Sequence, residues 1–173
     1  MKKNFTIALI LLYLNSFGQG LKNLDKEFGI NKFKLETSYS LYEKNLKYFD
    51  TSEQGVEFYI YTKSDIKEIF GVSVKEIGLG FYENQLYTIS IDFDAISKQK
   101  NFELVENILK KYDTPKIADN PTEERVWVAE WITGKTYLQA TEYSCSSDLT
   151  SILRCKTQLF IYSKNLRRKI PID

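Results

Sequence analysis

The sequence predicts an α+β fold, an antiparallel sheet of about six to seven strands with two helices packed on one face. Three observations carry this reading. Residues 74–93 alternate apolar and polar positions along two arms, the period of a half-buried strand. A second alternating pair of arms occupies 127–141. Between them, 100–112 repeats its apolar residues at the period of an amphipathic helix.

Taken in order, the chain opens with Lys2 and Lys3, an uncharged apolar run from Ile7 to Leu14, and the small-x-small triplet Ser16-Phe17-Gly18. That is the layout of a secretory signal, and the run is too short to span a bilayer. Cleavage is expected after Gly18, with Gly20 as second choice, so 1–20 is the signal region and 21–173 the working domain. No cysteine lies near the cut, which argues against a lipid anchor. Asn23 to Phe33 is mostly polar and reads as a lead-in segment.

Ser40 and Glu43 have capping-box spacing, and Tyr39, Tyr42, Leu46 and Phe49 recur on one helical face. A first helix is therefore expected there, ended by Asp50-Thr51-Ser52. Val56 to Tyr61 is β-branched and aromatic, hence a strand. In Lys63 to Phe70, Ile66, Ile69 and Phe70 suit a helical turn stopped by Gly71, with a strand a close second reading. In the 74–93 hairpin, Ile77, Leu79 and Phe81 face one way and Gly78 and Gly80 the other. Its second arm sets Tyr87, Ile89, Ile91 and Phe93 against Thr88, Ser90 and Asp92. Glu83-Asn84 supplies the turn, because Asn tolerates φ > 0.

The second helix, 100–112, carries the stripe Phe102, Val105, Ile108, Leu109 and Tyr112, and Pro115 forbids its continuation. A loop is expected at Asp119-Asn120-Pro121. Trp127, Ala129 and Trp131 then share one strand face, Thr133-Gly134 turns, and Tyr137, Gln139 and Thr141 return. A loop between Cys145 and Cys155, a last strand from Thr157 to Tyr162 and a polar basic tail complete the chain. The order admits two helix-plus-hairpin halves, 34–94 and 100–163, joined in one continuous sheet.

Function is bounded chiefly by exclusion. The chain has no histidine, which removes histidine-based triads, general bases and metal centres together. No glycine-rich phosphate-cradling motif occurs, and no cofactor or metal site is expected. With 24 basic and 23 acidic residues the chain is not built to neutralise a nucleic-acid backbone. In an oxidising compartment Cys145 and Cys155 are expected to form one disulfide, whose short loop would stabilise the fold by roughly 3 kcal/mol.

Four residues are candidates for a binding surface. Gly78 and Gly80 weaken a strand unless something approaches closely, either the second helix packed over them or a ligand. Trp127 and Trp131 are either core or an exposed aromatic platform. Lys164, Arg167, Arg168 and Lys169 form a basic cluster that could touch an anionic envelope surface. The acids Asp92, Asp94, Glu123 and Glu124 are the remaining candidates for catalysis or calcium.

Ser16-Phe17-Gly18-Gln19 and the hairpin Gly80-Phe81-Tyr82-Glu83-Asn84-Gln85-Leu86-Tyr87, with a Lys/Asn/Ile-rich composition, resemble small exported proteins of the Bacteroidota type. The helix-plus-hairpin tandem is similar in outline to the modules of the β-lactamase-inhibitor-protein architecture. These resemblances imply an exported α+β protein and assign no functional residue. The expectation is thus a non-catalytic, periplasmic or secreted domain that binds a protein or glycan partner. The alternatives are a carboxylate-dependent hydrolase acting on envelope glycans and a structural envelope protein.

Overall fold

The computed structural model describes residues 19–94, 96–117, 125–143, 146–147 and 153–171. The first of these form a helix, α1 (Gln19–Glu27), where the sequence suggested only a lead-in. Leu21, Leu24 and Phe28 form its apolar edge, with Leu24 fully buried. So short a helix is marginal alone, and tertiary bonds hold it. The Gly20 amide donates to Asp113 Oδ2 at 2.7 Å, and the Asp25 carboxylate accepts from the Thr133 hydroxyl and, at 3.1 Å, from the Lys135 amide.

Burial raises the pKa of Asp25, but hydrogen bonds from Thr133, Lys135, Thr136 and Gly134 outweigh it and leave the carboxyl below its ordinary value. A carboxylate so depressed stabilises the fold above its unfolded pKa, and the benefit is lost as pH falls through the folded one. Asp25→Ala should therefore cost about 1–2 kcal/mol at neutral pH and much less below about pH 3. Urea unfolding at both pH values measures this, and a deficit independent of pH would contradict it.

Two short strands, β1 (Gly29–Ile30) and β2 (Phe33–Lys34), follow and pair with each other. The helix expected from Ser40 to Phe49 is absent. Its place is taken by two 3-10 turns, Tyr39–Leu41 and Glu43–Asn45, and by strand β3 (Leu46–Thr51). Ser38 rather than Ser40 caps the first turn, accepting from the Ser40 amide. Tyr39 and Tyr42 recur at helical spacing for another reason. Both rings pack on Phe81, at 5.2 and 6.3 Å between centroids, while Leu46 onward pairs with a neighbouring strand.

The remaining strands are β4 (Glu57–Tyr61), β5 (Glu68–Ile69), β6 (Val72–Tyr82), β7 (Gln85–Phe93), β8 (Ile96–Ser97), β9 (Lys116–Ile117), β10 (Arg125–Ile132), β11 (Thr136–Tyr143), β12 (Ser146–Ser147), β13 (Leu153–Cys155) and β14 (Thr157–Ser163). In the ambiguous 63–70 segment only Glu68–Ile69 is strand, and the rest is turn or irregular. Phe70 and Gly71, at φ 54° and 76°, turn β5 back onto β6. Glu83 and Asn84, at φ 49° and 63°, make the expected tight turn between β6 and β7.

The main sheet runs in the order β3-β4-β6-β7-β14-β11-β10-β9, antiparallel throughout. Each half of the sequence supplies one meander, and the two join through their last strands, with Ile91 opposite Leu159. The helix preceding the first meander is α1, which lies upstream of residue 34. The second is α2 (Lys98–Tyr112), capped by the Ser97 side chain.

The buried stripe of α2 is Asn101, Leu104, Ile108 and Tyr112, whereas Phe102 is 56% exposed. The expected stripe was thus turned by about one residue. A buried Asn disguised it: Asn101 donates to Glu142 and accepts from the Thr157 hydroxyl, so its polarity is satisfied inside the fold. Leu24, Leu104, Ile108 and Tyr112 pack on Ile77, Leu79, Phe81, Ile89, Ile91, Trp131, Leu159 and Ile161. Both helices cover the same face of the sheet. A short third helix, α3 (Lys164–Arg167), follows β14.

Candidate functional site

The face of the sheet turned away from α1 and α2 is the candidate site. Strand register sets its composition. One row across the strands reads Ile60, Gly78, Ser90, Phe160, Gln139 and Glu130. The next reads Phe58, Gly80, Thr88, Tyr162, Tyr137 and Ile132. Half-buried rings therefore stand where a second helical layer would otherwise require aliphatic side chains.

Tyr87 belongs to this face too, contrary to the alternation read from the sequence. Gly80 pairs with Thr88 but Phe81 pairs with Leu86, so a bulge at Tyr87 shifts the register by one residue. Leu86 enters the helix-side core, and Tyr87 joins Val56, Leu166 and Ile170 on the far side.

The glycine pair lies on this face, and α2 does not cover it. A Cβ at Gly80 would lie 2.6 Å from Thr88 Cγ2 and 3.0 Å from Phe58 Cε1, and one at Gly78 would lie 2.4 Å from Ser90 Oγ. The missing side chains make room for the Phe58 ring and for hydroxyls of the neighbouring strand. Gly78, Phe49, Phe58, Ile60 and Ser90 border a hollow of about 320 Å³. Phe49, on the edge strand, is 68% exposed.

Tyrosine chemistry dominates the second meander. Tyr137 and Tyr162 stack at 4.6 Å, and Tyr87 and Phe160 flank Tyr162 at 5.8 and 5.9 Å. Tyr137 donates to Glu130 Oε1, and Gln139 Nε2 donates to Tyr137 at 2.9 Å. Burial first, then the Glu130 carboxylate, pushes the Tyr137 phenol well above its ordinary pKa. These phenols remain neutral donors at physiological pH. Asp92 accepts from Gln158 Nε2 at 2.6 Å at the far end of the face.

Beside these rings lies a cavity of about 470 Å³, lined by Ser52, Gln54, Val56, Phe58, Tyr87, Thr88, Phe160, Arg167, Ile170 and Pro171. The C-terminal segment closes one side of it and is no loose tail. Ser163 caps α3 through the Leu166 amide at 3.2 Å, and Leu166 and Ile170 are buried beside Val56 and Tyr87. The four cations are consequently divided. Lys164 Nζ donates to the Thr133 carbonyl, Arg167 borders the cavity, and only Arg168 and Lys169 are exposed.

The other sequence candidates separate. Trp131 is core, 1% exposed, with Nε1 donating to the Asp113 carbonyl at 2.9 Å, so it is no surface platform. Trp127 lies in β10, but its side chain is outside the described residues, as are Cys145 and the side chain of Cys155. The expected disulfide therefore falls outside them, as do Gly18, Glu123 and Glu124. Asp94 is exposed beyond the end of β7 and donates its amide to Ser73, while Asp92 lies on the open face. Among the described residues no group of three or more Cys, Asp or Glu is placed to hold a metal ion.

The sequence reading missed the part played by Arg167, Phe58 and Phe160. Strict alternation in 157–163 marks Phe160 and Tyr162 as facing away from Leu159 and Ile161, and could have found two members of the site. No protein-family model matches this chain, and no curated protein or solved structure is significantly similar to it.

Proposed function

We propose that this is an exported, non-catalytic binding domain that engages its ligand through the sheet face opposite the helices. The observation that carries the reading is the aromatic cover of that face. Phe49, Phe58, Tyr87 and Phe160 border two adjoining hollows, which share Phe58 as a wall, and Tyr162 and Tyr137 stack beside Tyr87 and Phe160. Tyr rings with neutral hydroxyls offer apolar area and directed hydrogen bonds together, the combination that suits glycan and protein partners. A sheet face with no bound function would instead be polar or covered.

The export reading rests on the sequence of residues 2–18. No helix of the described residues is long and apolar enough to cross a membrane. Gly20 is buried inside α1 with its amide bonded to Asp113, so a cut after Gly18 leaves that helix whole while a cut after Gly20 removes the bond. Intact-mass analysis of the secreted protein should therefore show Gln19 as the first residue.

The binding test uses arrays of envelope glycans and extended peptides. The wild type should retain at least one class, and the double substitution Phe49→Ser with Phe160→Ser should abolish that binding by tenfold or more while the far-ultraviolet spectrum stays unchanged. An array on which the two proteins behave alike would overturn the open-face reading. A hydrolase would instead release product from a retained glycan, and Asp92→Asn would stop it.

A further inference from the structure

We propose that the cavity beneath Arg167 is a receptor for a single carboxylate carried on an apolar body. The proposal rests on the open-face reading and names the chemistry of one part of it.

The position of Arg167 is set by its neighbours. Ser163 fixes the start of α3, and Leu166 and Ile170 dock into the cluster containing Val56 and Tyr87. These two apolar anchors hold the intervening Arg167 against the sheet, while Arg168 and Lys169 go to solvent. Nη1 of Arg167 is buried with no hydrogen-bond partner. No carboxylate within ion-pair distance meets this guanidinium among the described residues. Its charge acts instead on the phenols of Tyr87 and Tyr162, partly offsetting the rise that burial imposes on both.

A cationic nitrogen buried without a partner is costly, because its desolvation is not repaid. An acceptor arriving from outside completes the site. The planar guanidinium fork matches a carboxylate with two parallel bonds.

The walls specify the rest of the ligand. Val56, Phe58, Phe160, Ile170 and Pro171 line the cavity with carbon. The Thr88 hydroxyl already donates to the Ile161 carbonyl at 3.0 Å, so it has only acceptor capacity left. Among the described residues Arg167 is the one cation in a lining whose other polar groups, Ser52, Gln54, Tyr87 and Thr88, are neutral, and a single charge suits a monoanion better than a phosphate. About 470 Å³ is the volume of a small-molecule pocket and takes one ring or a short chain, not a polymer. The shared chemistry is thus an apolar carboxylate, either a free organic acid or the terminal carboxylate of a peptide ending in an apolar residue.

Binding is measured on the exported protein by calorimetry and by methyl chemical shifts of Val56 and Ile170. The probes are 3-phenylpropionate and its neutral amide, and acetyl-Ala-Phe with a free or an amidated terminus. The acids should bind and move both methyl signals, and the amides should bind about tenfold or more weakly. Preference for one acid over the other identifies the source. Arg167→Gln should weaken acid binding by about tenfold or more and leave amide binding unchanged, with Arg167→Lys intermediate. Equal affinity for acid and amide overturns the proposal, and so does failure of both acids to bind. If Arg167→Gln unfolds, the acid–amide comparison on the wild type decides alone. Loss of acid binding together with continued array binding sensitive to Phe49 and Phe160 would remove this inference and leave the open-face reading intact.

Discussion

Trp131→Ala is expected to destabilise the protein by about 3–5 kcal/mol, much of an ordinary domain's total stability. The side chain is 1% exposed and lies in the cluster formed by the helices and the sheet. Its removal would leave a cavity between rigid layers and strip the Asp113 carbonyl of its donor. Asp113 also receives the Gly20 amide, so the loss would spread to the start of α1. Trp131→Phe separates the two effects. It keeps most of the volume and should cost about 1–3 kcal/mol, mainly for the lost indole hydrogen bond. Equilibrium urea unfolding measures both, with Phe160→Ala as the comparison. Phe160 is half-buried on the open face, and its truncation should cost much less than that of Trp131. A cost below about 1 kcal/mol for Trp131→Ala would return this residue to the surface.

Gly80→Val should destabilise the sheet by about 2–4 kcal/mol, because its added carbons collide with Thr88 and Phe58. Gly78→Ala should be milder. The atom its Cβ meets, Ser90 Oγ, belongs to a side chain that can rotate away. The collision at Gly80 is shared with a removable partner, so Phe58→Ala should recover part of the loss in the double variant. A double-mutant cycle should then show coupling of about 1 kcal/mol or more between the two positions. Additive costs would mean that Phe58 does not lie over Gly80, and the wall shared by the two hollows would be lost with it.

How much of this was legible in the chain varies from element to element. The 74–93 hairpin was readable because period-two alternation ran over both arms and Asn84 announced a turn with positive φ. One bulge within it was not readable, since nothing in Leu86-Tyr87-Thr88 marks which residue will be left out of the ladder. That single slip carried Tyr87 from the core side to the site. Helix α2 was found from its spacing, but its buried Asn101 misled the assignment of the inward stripe.

The error at 39–49 has a different origin. Tyr39, Tyr42, Leu46 and Phe49 satisfy a helical period, yet the first two are anchors for a ring cluster built by Phe33, Tyr59 and Phe81. Distant partners outweighed local preference, as they do when propensities are close. The converse holds for α1. Its nine residues carry no strong cap, and bonds to Asp113 and Thr133 far along the chain hold it.

Composition and periodicity alone determined the fold class, the paired strands, the second helix and the absence of histidine chemistry, because these depend on residue type and near spacing. Which sheet face the helices leave open, and which cation is turned into a cavity, was decided only in three dimensions. Those features depend on strands more than sixty residues apart meeting in register, and on Leu166 and Ile170 finding Val56 and Tyr87. Local sequence carries no record of such meetings, since each partner is an ordinary apolar residue until the other arrives.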